Sequence, residues 1–198
     1  MIINEELLLA NGAEYEVYNT NDIIFHEGDR PQYYFQIVYG TVELNNYRED
    51  GKEFTQNILS DGQSFGESLL FNEKPYPMNA VVKSETSILK LSRSNFLKLI
   101  QYDTEAATNM FRCLADRLFY KYIMLFNISS TNPIFKLDSI MNYLKSFKTN
   151  TSKYSFLVPL TRQQLANLTG LRVETVIRTV KKMENELMLR IVVGKIYY

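Results

Sequence analysis

A chain of 198 residues, 45% hydrophobic and 22% charged, has the composition of an ordinary globular protein and the length for one large core or two small ones. One cysteine (Cys113) and one histidine (His26) exclude an intrachain disulfide and a Cys/His zinc or iron–sulfur site within one chain, and no apolar run approaches the ~20 residues of a membrane span. The net charge is zero but unevenly spread: residues 132–198 hold 11 Lys+Arg against 4 Asp+Glu (+7), and residues 1–131 hold 11 against 18 (−7), the footprint expected when one half meets phosphates and the other does not.

The start, Met1-Ile2-Ile3-Asn4, lacks the basic and apolar regions of a signal peptide, so a cytoplasmic protein without cofactor or metal is expected. From Glu14 to Leu91, turn signals recur at Gly28, Gly40, Gly51 and Gly62, close to the ~8–12-residue rhythm of an all-β sandwich or barrel. The β-prone runs between them cover 33–39, 41–44, 54–59 and 86–91, rich in aromatic and β-branched residues. A small double-sheet jelly roll is predicted.

After Ser92 the period becomes helical. A short helix is predicted over 95–101 and a long one over about 104–128. The long helix carries two apolar lines. Ala107, Met110, Leu114, Leu118, Tyr122 and Leu125 form the first; Phe111, Ala115, Phe119 and Phe126 form the second. One face can pack on the β domain and the other on a second subunit, for which Met110, Leu114, Leu118, Tyr122 and Leu125 are the candidate dimerisation residues. Arg117 and Lys121 on this arc then need solvent or partners. The stretch Ser129-Ser130-Thr131-Asn132-Pro133 reads as a hinge, a further helix covers 134–147, and 148–153 is a polar loop.

The stretch 161–178 carries the chemistry. Thr161 and Gln164 form a T-x-x-Q capping box that starts a helix at Arg162, and Gly170 permits the left-handed turn that ends it. A second helix begins near Val173, which makes a helix-turn-helix. On it Val176, Val180, Met183 and Leu187 form an apolar stripe. Opposite lie Glu174, Arg178 and Lys181, with Ile177 on the flank. Arg178 can contact a guanine edge bidentately, Glu174 can accept from a cytosine amine, Ile177 can meet a thymine methyl, and Lys181 can neutralise a phosphate. The alternative is a solvated face with an i,i+4 Glu174–Arg178 ion pair. Residues 190–198 read as two short strands turning at Gly194-Lys195, a wing.

Three quoted stretches resemble the Crp/Fnr family of bacterial transcription regulators: the 161–178 segment, Phe25-His26-Glu27-Gly28-Asp29, and Phe65-Gly66-Glu67 followed by Leu69-Leu70-Phe71 and Pro75-Tyr76-Pro77. The resemblance implies an α+β chain. An N-terminal double-stranded β-helix (jelly roll) of the cyclic-nucleotide-binding type (1–103) precedes a long dimerisation helix and hinge (104–131) and a C-terminal winged helix-turn-helix (132–198). It implies a homodimer on palindromic double-stranded DNA, with RNA polymerase as a further partner. Glu174 and Arg178 match positions that read a G·C core, Thr161 and Arg162 match backbone contacts, and Gln163 and Thr175 complete the DNA-facing set. The effector pocket implied is bordered by Phe65, Gly66, Glu67, Ser68, Pro77, Met78 and Asn79, with Lys121 and Tyr122 from the long helix. Glu67 matches a ribose-contacting glutamate. Pro77 or Met78 stands where cyclic-AMP-binding members carry an arginine, so weak or absent cyclic AMP binding is expected, and any effector is a different small molecule. Arg172 replaces the family's Ser or Thr cap, where a cation opposes the helix dipole unless it meets DNA. His26 sits in a turn, which argues against haem. No phosphate loop, metal spacing or nucleophile motif points to an enzyme; the remaining rival is a ligand-sensing module that regulates by protein contact.

Overall fold

Strands β1 (Glu14–Tyr18), β3 (Tyr33–Tyr39), β6 (Ser64–Phe65) and β8 (Thr86–Ser92) form one antiparallel sheet, in the order β1-β8-β3-β6. A second sheet has the order β2-β7-β4-β5, from β2 (Ile23–Phe25), β4 (Val42–Tyr47), β5 (Glu53–Leu59) and β7 (Asn79–Val82). The computed structural model describes residues 1–198. Two compact units divide the chain, Met1–Arg117 and Leu118–Tyr198, so the long helix α4 (Thr104–Ser129) contributes to both.

In the first unit, alternate residues of one strand face opposite sides of the sheet, and both sides of the first sheet are covered. Phe35 and Ile37 of β3 and Ile88 of β8 point into the jelly roll with Phe25, Val42, Leu44, Leu59 and Phe65. Tyr34, Leu89 and Leu91 point out, against Ile3, Leu8, Phe96, Leu99 and Met110. Those last residues come from the N-terminal segment, from α1 (Glu5–Ala10) and α3 (Arg93–Tyr102), and from the first turns of α4. The buried amide of Gln36 fastens the segment before α1: it accepts from Ile3 N and donates to Ile3 O, both at 2.9 Å. Gly40 is obligatory at its turn. Its φ is 108°, and a Cβ there would lie 2.2 Å from Thr86 Oγ1.

The predicted helix over 95–101 is α3, begun two residues earlier because the Ser92 hydroxyl accepts from Asn95 N. Helix α4 matches its predicted span. Its two apolar lines part differently from expectation, however. Ala106, Met110 and Cys113 are buried within the first unit and Tyr120, Met124 and Asn127 within the second. Met110 is therefore a core residue of its own unit and is withdrawn from the candidate dimerisation set. Leu114 is half-buried, and Leu118, Tyr122 and Leu125 are exposed.

The second unit continues with α5 (Pro133–Lys145), whose N-cap Asn132 accepts from Ile134 N and whose Pro133 occupies the first helical position, where no intrahelical donor is needed. Then come α6 (Arg162–Thr169), α7 (Val173–Asn185), and a hairpin of β9 (Arg190–Val192) and β10 (Lys195–Tyr197). Residues 156–158 pair alongside β10 through the Leu157–Tyr197 bridge. The hairpin turns one residue earlier than predicted: Val192 pairs with Lys195, which leaves Val193-Gly194 as the turn and places Lys195 in the strand.

Candidate functional site

Local chemistry sets the two helices of the helix-turn-helix. Gln164 N donates to Thr161 Oγ1 (3.1 Å) and Thr161 N donates to Gln164 Oε1 (2.9 Å), which closes the capping box reciprocally. Gly170 takes the left-handed conformation at φ 67° and stops α6. Lys136 of α5, which the sequence reading passed over, is buried, and its Nζ donates to the carbonyl of Thr169 at 3.1 Å. This places a cation on the negative end of α6 beside the tight turn. Only a lysine standing among the apolar residues of α5 could have signalled it.

Helix α7 presents the predicted outer face. Glu174, Ile177, Arg178 and Lys181 are exposed and Thr175 is half-buried, while Val176, Thr179, Val180 and Met183 face the core. The i,i+4 ion pair on this part of the chain joins Lys182 to Glu186 at 3.8 Å, and Glu174 and Arg178 stand as separate charges one turn apart. Arg172 is the N-cap of α7 and makes no side-chain capping bond. Glu174 in the first turn offsets its unfavourable charge against the helix dipole. Gln163 is exposed, with its amide turned to Asn167 Oδ1 (2.8 Å), and Arg162 is half-buried, which pulls its guanidinium below the ordinary value. Leu187, expected on the apolar stripe, lies beyond the helix. It is exposed, with φ 58°, in the left-handed position that ends α7: Leu187 N donates to Glu184 O and Met188 N to Met183 O.

Residues 65–79 of the implied effector site belong to the first unit. Gly66, left-handed at φ 76°, leads into the short helix α2 (Glu67–Leu70). Glu67 is fully buried, with Oε1 2.9 Å from Arg117 Nη1; the same guanidinium donates to Ser64 O. Arg117 is the partner missing from the sequence reading. Burial opposes its charge, but the Glu67 carboxylate holds its pKa above the ordinary value. Neither carboxylate oxygen finds an aligned hydrogen bond, and the buried Tyr76 hydroxyl has no partner. Aromatic rings fill the adjoining space: Tyr76 stacks on Phe25 at 3.6 Å and Phe65 on Phe35 at 5.1 Å. Tyr76 comes so close that a Cβ at Gly66 would sit 3.1 Å from its ring.

Of the other pocket candidates, Met78 packs against this cluster, Ser68 and Pro77 are exposed, and Asn79 accepts from Glu27 N at 2.9 Å. Lys121 and Tyr122 are exposed on α4 in the second unit. An open groove of about 710 Å³ lies elsewhere on the first unit, and one of about 300 Å³ opens beside the stacked rings, with Phe35 and Tyr76 in its lining. Arg30, Gln32 and Tyr33 border both; Ser92 and Arg93 line the larger, and Phe25 and Lys90 the smaller.

The cyclic nucleotide-binding domain family matches residues 15–103, and the Crp-like helix-turn-helix domain family matches residues 140–197. Similar proteins include the cAMP-activated global transcriptional regulator CRP of Pasteurella multocida, 26% identical over 171 residues (85% of this chain, 82% of that protein). The cyclic AMP receptor protein of Thermus thermophilus is 35% identical over 95 residues, 48% of this chain and 44% of its own length. Among solved structures, FixK2 from Bradyrhizobium japonicum shares the fold with a TM-score of 0.76 at 19% identity, over 93% of this chain and 91% of its own. The Thermus thermophilus catabolite activator protein aligns at 26% identity with a TM-score of 0.55, over 97% and 87%.

Proposed function

Since the chain belongs to the Crp/Fnr family of transcription regulators, we propose that it binds a palindromic operator as a homodimer, with α7 in the major groove. The exposed face of α7 carries this reading. Arg178 and Glu174 take base edges, Ile177 a thymine methyl, and Lys181 and Arg172 phosphates, while Thr161, Arg162, Gln163 and Thr175 hold the helix in register. A surface for phosphates alone would exclude the carboxylate of Glu174.

Dimerisation is assigned to α4. Phe111, Leu118, Phe119, Tyr122, Leu125 and Phe126 are all exposed on it, more apolar surface on one helix than a monomer ordinarily shows. The spacing 111, 115, 118, 122, 125 is the alternating four-three step of a coiled-coil seam. Two recognition helices about one DNA turn apart follow from such a pairing. We assign the protein to the cytoplasm and give it no catalytic role. No helix is long and apolar enough to cross a membrane.

Control by cyclic AMP is not part of this proposal. The Glu67 carboxylate already has a cation in Arg117, no cation stands at Pro77 or Met78, and Phe25 and Tyr76 fill the space beside Gly66. An effector, where one acts, is a small molecule of other chemistry that favours one orientation of the DNA-binding units. RNA polymerase is the proposed protein partner of the DNA-bound dimer.

The test is selection from a randomised duplex library followed by fluorescence anisotropy across a salt titration. We expect a palindrome with G·C pairs in each half-site, and loss of preference at one base pair per half-site in Arg178→Ala, worth about 1–3 kcal/mol. No sequence preference at low salt, with or without cyclic AMP, overturns the reading in favour of regulation through protein contact.

A further inference from the structure

Helix α4 turns Tyr120, Met124 and Asn127 into the second unit. The first two suit such a position. Asn127 does not: it is wholly buried, its Nδ2 donates to the carbonyl of Lys136 at 2.7 Å, and its Oδ1 has no partner. A buried acceptor left unpaired costs stability, and an aliphatic residue of similar size would avoid that cost. A buried polar side chain kept at such a cost is of the kind that specifies geometry, as a single asparagine fixes register in a coiled-coil seam.

The geometry it specifies is the joint between α4 and α5. Only residues 130–132 separate the two helices. On the outside of the joint the exposed Phe126 ring meets Phe135 edge-on at 5.4 Å. On the inside the bond from Asn127 to Lys136 closes it with a defined direction. Lys136 passes the constraint on: its carbonyl holds α4, and its Nζ donates to Thr169 O at 3.1 Å, at the end of α6. Gly170 follows, then α7, which also packs on α5. All of these residues belong to the second unit, as do Leu118, Tyr122 and Leu125 on the exposed side of α4. A path of direct bonds therefore runs from the part of α4 that carries the dimer seam to the turn that sets α7.

We propose that Asn127 is a positioning residue: acting through Lys136, it fixes how far apart the two recognition helices of the dimer stand, and so which half-site spacing the protein accepts. This assignment rests on the palindrome-binding dimer above and adds the residue that sets its separation. One base pair more or less between half-sites turns them by about a tenth of a turn about the duplex. A rigid joint penalises that shift, and a loosened joint follows it.

The test measures affinity by anisotropy for the selected palindrome, for the same half-sites one base pair closer or farther apart, and for a single half-site. Full-length wild type, Asn127→Leu, Lys136→Met and Lys136→Arg are compared. Wild type should favour the selected spacing. In Asn127→Leu that preference should fall about fivefold at unchanged single half-site affinity. Lys136→Met should lose the preference similarly, and Lys136→Arg, which keeps a donor for Thr169 O, should retain it. Combining Asn127→Leu with Lys136→Met should lower the preference no further than either alone, because both break one path. An unchanged preference in folded Asn127→Leu, whatever its melting temperature, overturns the proposal. So does an equal loss on palindrome and half-site, which makes Asn127 a support of the helix-turn-helix alone. If Asn127→Leu does not fold, an unchanged preference in Lys136→Met overturns it instead. Wild type that binds the half-site without any spacing preference overturns the dimer reading, and wild type that binds no duplex overturns the DNA-binding reading.

Discussion

Arg117→Met removes the cation facing a carboxylate that has no access to water. Glu67 is fully buried, Arg117 is 2.9 Å away, and no other hydrogen-bond donor reaches either Glu67 oxygen. The substitution keeps most of the aliphatic volume on α4, so the cost is electrostatic: an uncompensated buried charge, and the Ser64 carbonyl deprived of its donor. Breaking one side of a buried pair costs about 3–5 kcal/mol, against a total stability of roughly 5–15 kcal/mol. The melting temperature should fall by roughly 6–20 °C for a chain of this size. Adding Glu67→Gln to Arg117→Met should recover part of the loss, which a double-mutant cycle by urea denaturation measures directly. A loss under about 1 kcal/mol would refute the assignment of a buried Glu67–Arg117 ion pair.

Other substitutions test separate steps. Arg172→Ser supplies the missing N-cap of α7, so thermal stability should rise by about 1 kcal/mol while duplex affinity falls; no change in either makes Arg172 an idle surface residue. Burial raises the pKa of Glu43 more than its Lys83 neighbour lowers it. Wild type therefore gains stability as pH falls through that raised value and loses it on the way up. Glu43→Gln should be the more stable protein at pH 7, and the difference should close near pH 4; a variant less stable than wild type across the range contradicts this. Leu187→Gly relieves an exposed left-handed leucine that accepts from the Tyr154 hydroxyl only through its carbonyl. The gain should be about 1 kcal/mol by thermal denaturation, and a loss would mean that the leucine side chain packs in solution.

The helix-turn-helix was the most legible part of the chain because its signals are short-range. Thr161 and Gln164 are three residues apart, Gly170 acts at its own position, and the spacing of Val176, Val180 and Met183 orients α7 within four turns. The jelly roll was legible as a rhythm of turns, but β1, β2, β6 and β7 were not separately identified. The last three have only two to four residues each, too few to show a period. The wing was recognised one residue out of place, because Val193 is a poor turn residue and its strain hides the true turn.

The sequence by itself determined the α6-turn-α7 segment, the length of α4 and the basic charge of the C-terminal third, since capping, periodicity and charge act through near neighbours. Tertiary structure alone decided that Met110 serves the core while Leu118 and Tyr122 stay outside. It also decided that Arg117 neutralises Glu67 from 50 residues away and that Tyr76 lies on Phe25 beside Gly66. Met110, Leu118 and Tyr122 stand on one apolar line of α4, and pairing across such distances depends on which surfaces the folded sheets bring into reach. No local pattern encodes that choice.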